Sequence, residues 1–167
     1  SVSAGRSPPP STARATEATS TVPEVLETMF SMEALAMPPG DLQSLGSSLV
    51  VASVGFIGDL NGIVHLYLNT AFARVLAANL LGIADDEFDG NEMIDDAIGE
   101  LGNMIVGAVK GRLCDEGAPC VLTIPTIVRG NSLLVGATGL TDRRMLSFRC
   151  GDDEITLELL MKAASGS

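Results

Sequence analysis

Histidine, aromatic side chains and positive charge are all scarce in this chain. Its 167 residues hold one His, one Tyr, five Phe and no Trp, with 10 Lys and Arg against 21 Asp and Glu. A zinc site would need His65 plus most of Cys114, Cys120 and Cys150, and these cysteines lack any CxxC spacing, which argues against a metal centre. Three cysteines without a repeat pattern also argue against a disulfide framework. Reduced thiols and a cytoplasmic location are the expectation. No Ser or Cys triad stands out, and the one histidine sits in the strand-like run IVHLYL. The net charge of −11 disfavours nonspecific nucleic-acid binding, because neutralising phosphates needs clustered Lys and Arg. No apolar run reaches the ~18 residues of a membrane helix, and no secretory signal is visible.

What the chain does have is apolar mass. At 46% hydrophobic residues it can build a sizeable core, on a scale suited to one domain with an appendage. Residues 1–22 are rich in Ser, Thr, Ala and Pro and too poor in large apolar groups to offset chain entropy, so a disordered tail or linker is expected. Pro23 to Ala36 reads as a helix, with Thr21 as a cap and Pro38-Pro39-Gly40 ending it. Ser48–Gly55 and Ile63–Leu68 read as strands joined by a turn at Gly58–Gly62. His65 then lies on one strand face. Asn69 or Thr70 caps a helix from Ala71 to Leu81, ended by Gly82. The acidic run Asp85, Asp86, Glu87 and Asp89 lacks calcium-loop spacing and reads as a solvated connection.

Asn91 to Leu113 reads as one long helix with an unusual polar side. At roughly 100° per residue, Asp96, Glu100, Asn103 and Gly107 share a narrow stripe. Ile94, Ala97, Ile98, Leu101, Met104, Ile105, Ala108 and Val109 cover the opposite side. Gly99, Gly102 and Gly107 each weaken the helix by about 1 kcal/mol relative to Ala. Gly99 and Gly107 lie on or beside the stripe, which favours close approach by something outside. Gly102 lies nearer the apolar side and reads as packing. Other roles for the polar residues stay open: Asp95 and Asp96 near the helix start suit the dipole, Glu100 suits an ordinary exposed position, and Asn103 suits a back-bonded amide. Lys110 reads as a solvated lysine.

Cys120–Val128 reads as a strand that Pro125 places at an edge or bends. Arg129–Ser132 reads as a turn and Ser132–Gly136 as a short strand. Arg143–Cys150 and Glu154–Met161 form a hairpin around Gly151-Asp152-Asp153. The folded unit is expected over residues 23–162, with a short tail at 163–167. Its class is α+β, helices packed on a largely antiparallel sheet.

The run Asp96-x3-Glu100-x2-Asn103 resembles the D/S-x3-E-x2-N signature of the CheC/CheX-type chemotaxis phosphatases. GELGNMIVGAVK, the preceding GDLNGIVHLYLNTAFARVLAANLLG and the following PTIVRG resemble the segments around that signature, and the similarity covers about residues 23–162. Glu24 and Glu27 on the first helix have no Asn at matching spacing, which favours the single-site, CheX-like branch. Gly107-Ala108-Val109-Lys110 stands where many relatives carry a G-N-A-K-like run. The resemblance implies a homodimer that hydrolyses the aspartyl phosphate of a CheY-like response-regulator receiver. It implies no cofactor of its own, the partner holding Mg²⁺ and a lysine. Asn103 would orient the attacking water and Glu100 would pair with the receiver lysine. Asp96 would contact the partner or support Glu100, and Gly99 and Gly107 would give clearance. The alternatives are a non-catalytic receiver-binding adaptor, or a flagellar or structural dimer module with the same fold.

Overall fold

The structure, a computed structural model, describes residues 33–38, 45–58, 60–114, 120–131 and 142–163, together with 23–24 and 27–28. The expected tail at 1–22, the end at 164–167 and the strand expected at 132–136 lie outside the described residues.

The strands are β1 (Leu35–Met37), β2 (Ser48–Gly58), β3 (Leu60–Asn69), β4 (Cys120–Leu122), β5 (Thr126–Asn131), β6 (Asp142–Cys150) and β7 (Asp153–Ala163). The helices are α1 (Thr70–Leu81) and α2 (Glu92–Cys114), with a 3-10 turn at Asp85–Glu87 between them. The strands form one sheet in the order β1-β6-β7-β3-β2, and both β4 and β5 pair along the outer side of β2. Every pairing among the described strands is antiparallel. The α+β class expected from the sequence is what forms.

Alternation along the strands sorts the two faces of the sheet. Val50, Ala52, Leu66, Leu68, Phe148, Ile155 and Leu157 pack against Phe72 and Leu76 of α1 and Ile94, Ile98, Leu101 and Ile105 of α2. Burying each large apolar side chain contributes about 1.5–3 kcal/mol, so this layer holds the helices in place. Cys150 lies in the same layer, where burial and the nearby Asp153 carboxylate push its thiol up to about 11. On the other face Leu45, Leu49, Val51 and Tyr67 form a second buried group. Beside them His65 is buried as a strand-face imidazole, with Nδ1 2.6 Å from Ser53 Oγ.

Several boundaries differ from the sequence reading, each for a local reason. The helix expected through Ala36 gives way before Leu35, because Leu35–Met37 pairs with Arg149–Ser147 at the open side of β6. Helical residues are described at 23–24 and 27–28. The β2–β3 turn is tighter than expected: pairing continues to Phe56↔Gly62, and Gly58 N–H donates to Asn61 Oδ1 at 3.1 Å. The strand expected over Cys120–Val128 is broken at 123–125, the bend that Pro125 implied. Arg129–Asn131, expected as a turn, instead completes β5 by pairing with Val50–Ser48. β7 runs on to Ala163, the first residue of the expected C-terminal tail. The α1 caps are as expected: Asn69 Oδ1 accepts from Phe72 N–H at 2.6 Å, and Gly82 closes the helix at φ 66°.

Candidate functional site

The site is built on α2, and the way α2 sits on the sheet decides which side chains reach solvent. It comes close to the sheet at Gly102, where an added Cβ would stand 3.2 Å from Val54 Cγ2 and 3.7 Å from Ala52 Cβ. The packing role expected for Gly102 follows from that geometry. The buried arc is wider than the periodicity suggested, because Val106 joins Val54, Phe56, Leu159 and Met161 in a second cluster with Leu122 at its margin.

Asp95 and Asp96 are adjacent in sequence, but the helix turns them about 100° apart. Asp95 faces β5, where Arg129 Nε donates to its Oδ1 at 2.6 Å. The Arg129 terminal nitrogen stands 2.5 Å from the same oxygen, although its hydrogens are not directed at it. This ion pair ties the first turns of α2 to the sheet. Asp96 is left exposed.

The stripe itself is open. Asp96 and Glu100 are exposed, and Asn103 and Gly107 are half-buried. Among the described residues no hydrogen bond or ion pair engages the side chains of Asp96, Glu100 or Asn103. Glu100 and Asn103 are one turn apart, about 4.5 Å along the axis. An ionised Glu offers only acceptors, whereas the Asn carboxamide offers both a donor and an acceptor. Two such groups on a packed helix can hold a water and a cation at a fixed spacing.

The strand segments following α2 form one rim of the stripe. Thr123 is fastened to Gly55 twice: its N–H donates to Gly55 O at 2.9 Å, and its Oγ1 accepts from Gly55 N–H at 2.8 Å. Pro125 covers Gly99, whose added Cβ would stand 3.5 Å from Pro125 Cγ, and Leu122 Cδ1 lies 3.9 Å from the corresponding point at Gly107. Gly99 is thus buried by its own chain and serves packing of the rim. Gly107 remains accessible. Met93, 39% exposed, extends the stripe towards the helix start. It lies three residues before Asp96 and seven before Glu100, so the same periodicity carries it. The Arg129–Asp95 tie spans 34 residues, and no spacing in the sequence points to it.

The family model described as chemotaxis phosphatase CheX matches residues 50–149, a span that includes the stripe, both helices, most of β2 and all of β3–β5. The chain belongs to the CheX family. A CheX relative from Thermotoga maritima, named CheY-P phosphatase CheX, is 27% identical over 115 residues, covering 68% of this chain and 72% of that protein. The crystal structure of a chemotaxis protein CheX from Vibrio vulnificus has a TM-score of 0.77 at 20% identity, covering 93% of this chain and 100% of that one. The CheX chain of a CheX–CheY–BeF3–Mg²⁺ complex from Borrelia burgdorferi has a TM-score of 0.72 at 21% identity, covering 89% and 97%. At these identities the two structures establish a common CheX fold.

Proposed function

We propose that this protein hydrolyses the aspartyl phosphate of a CheY-type receiver domain, with Glu100 and Asn103 entering the partner's site. The observation that carries the reading is the placement of an exposed Glu and a half-buried Asn one turn apart on α2, without partners of their own among the described residues. The name of the Thermotoga relative supports the activity, and the Borrelia CheX–CheY complex supports the partner and a Mg²⁺ held with it.

An aspartyl phosphate is an activated acyl phosphate, so hydrolysis needs mainly an in-line water and charge neutralisation at phosphorus. Water attacks phosphorus as the bond to the aspartate oxygen breaks, releasing phosphate and restoring the carboxylate. In this reading the Asn103 carboxamide holds that water by accepting from it. Glu100 pairs with the receiver lysine and sets the register, with Asp96 at the margin of the contact. Gly107 leaves room for the partner; Gly99 is already covered by Pro125. The protein acts in the cytoplasm as a homodimer and brings no cofactor of its own.

The test is the decay of a phosphorylated receiver with wild type, Glu100→Ala and Asn103→Ala. Asn103→Ala is expected to slow catalysed decay about a hundredfold, the scale of a misplaced reactant, and Glu100→Ala to weaken it through lost register. If wild type leaves decay unchanged for every candidate receiver while still binding one, the protein is an adaptor.

A further inference from the structure

We propose that the loop Thr123–Pro125 is a preformed apolar anchor for the phosphorylated receiver, with Ile124 its contact residue and Met93 the matching contact on α2. The inference rests on the receiver-phosphatase reading above and adds an apolar source of affinity to the charge pair that Glu100 makes. Asp96 and Glu100 are carboxylates on a chain of net charge −11, and the group they must approach is an anionic phosphoryl. Like charges at close range repel, which offsets part of what the pairing of Glu100 with the receiver lysine contributes. Apolar surface beside the stripe adds attachment free of that repulsion.

Ile124 is 87% exposed. A single exposed isoleucine is ordinary on a protein surface, but this one differs in its setting. Thr123 on one side is bound twice to Gly55, and Pro125 on the other lies over Gly99 of α2. The segment is held in place before any partner arrives, which lowers the ordering entropy that binding must offset. Leu122 and Pro125 bracket it along the flank of the helix that carries Glu100 and Asn103. The rim therefore borders the stripe on this flank. Met93, with its adaptable thioether side chain, gives the stripe a second apolar contact. Continuity with the candidate site assigns the occupant as the receiver.

The experiment titrates a CheY-type receiver, loaded with beryllofluoride and Mg²⁺, into the full chain by calorimetry. It compares wild type with Ile124→Asp and Ile124→Ala, and uses Leu35→Asp, on the exposed strand β1 across the sheet, as the control. Turnover is followed at saturating chain. Ile124→Asp is expected to raise Kd about tenfold or more and Ile124→Ala less. Turnover of the saturated complex should stay within about twofold, and Leu35→Asp should bind as wild type. Equal binding by wild type and both Ile124 variants overturns the anchor and leaves the phosphatase reading standing. So does a change in oligomeric state with unchanged receiver affinity, which assigns the loop to a second copy of this chain. A wild type that neither binds nor dephosphorylates any receiver overturns both.

Discussion

His65 shows how far one residue's chemistry can depend on its neighbours. It is buried on the sheet face away from α2, in a cross-strand row with Ser53 and Glu158. Glu158 is engaged in turn by Arg143 Nε at 2.5 Å and, more distantly, by Tyr67 OH at 3.5 Å. Burial holds the imidazole below its ordinary value of 6.5, opposed in part by the Glu158 carboxylate. The unfolded chain therefore takes up a proton near pH 6.5 that the folded chain refuses. Stability from this residue is complete above 6.5 and falls as the pH drops through that value towards the lowered folded one. Urea denaturation at about pH 7 and pH 5 should show a larger loss for wild type than for His65→Gln. Equal losses would mean that His65 stays neutral or charged alike in both states. The strand-face position of His65 was legible in IVHLYL, because alternation alone sets it. Its hydrogen bond to Ser53 was not, because that needs the β2–β3 register.

At the scale of the element, α2 resolves the puzzle of its three interior glycines into different roles. Gly102 lets the helix axis approach Val54, Gly99 lies under Pro125, and Gly107 has only Leu122 near it, at 3.9 Å. Gly102→Val is expected to destabilise the fold by about 1–3 kcal/mol through overpacking. Gly107→Ala should raise stability by about 0.5–1 kcal/mol, since a methyl has room and the helix propensity improves. Chemical denaturation of the two variants checks the contrast; similar losses at both positions would show that the sheet contact does not distinguish them. The stripe was readable from 3.6-residue periodicity, and so were the α1 caps. The separate fates of Asp95 and Asp96 were not, because only β5 supplies the guanidinium that claims one and leaves the other open.

The described strands form one antiparallel sheet with α1 and α2 on one face, and such a sheet has edges to manage. On the β4 side Ile57 and Val121 face each other across the β2–β4 pair, 60% and 71% exposed. A second copy packed there would cover both and would suit the homodimer that the resemblance implies. On the homodimer proposal above, Val121→Asp is expected to shift the sedimentation of the chain from dimer to monomer while sparing Asp96, Glu100 and Asn103 on α2. A dimer that survives Val121→Asp places the subunit contact elsewhere.

What the sequence determined by itself was local: apolar period, caps, turn residues, and the Asp96–Glu100–Asn103 spacing that, with its flanking segments, points to the CheX family. These depend on neighbours within a turn or a hairpin, where backbone geometry dictates which side chains align. The tertiary structure decided the rest. It widened the buried side of α2 to Val106, buried Gly99, split β4 from β5, drew Leu35–Met37 into the sheet and set Ile124 on a fastened rim. Each of those outcomes turns on contacts between residues distant in the chain, and such contacts exist only once the sheet has selected its pairings.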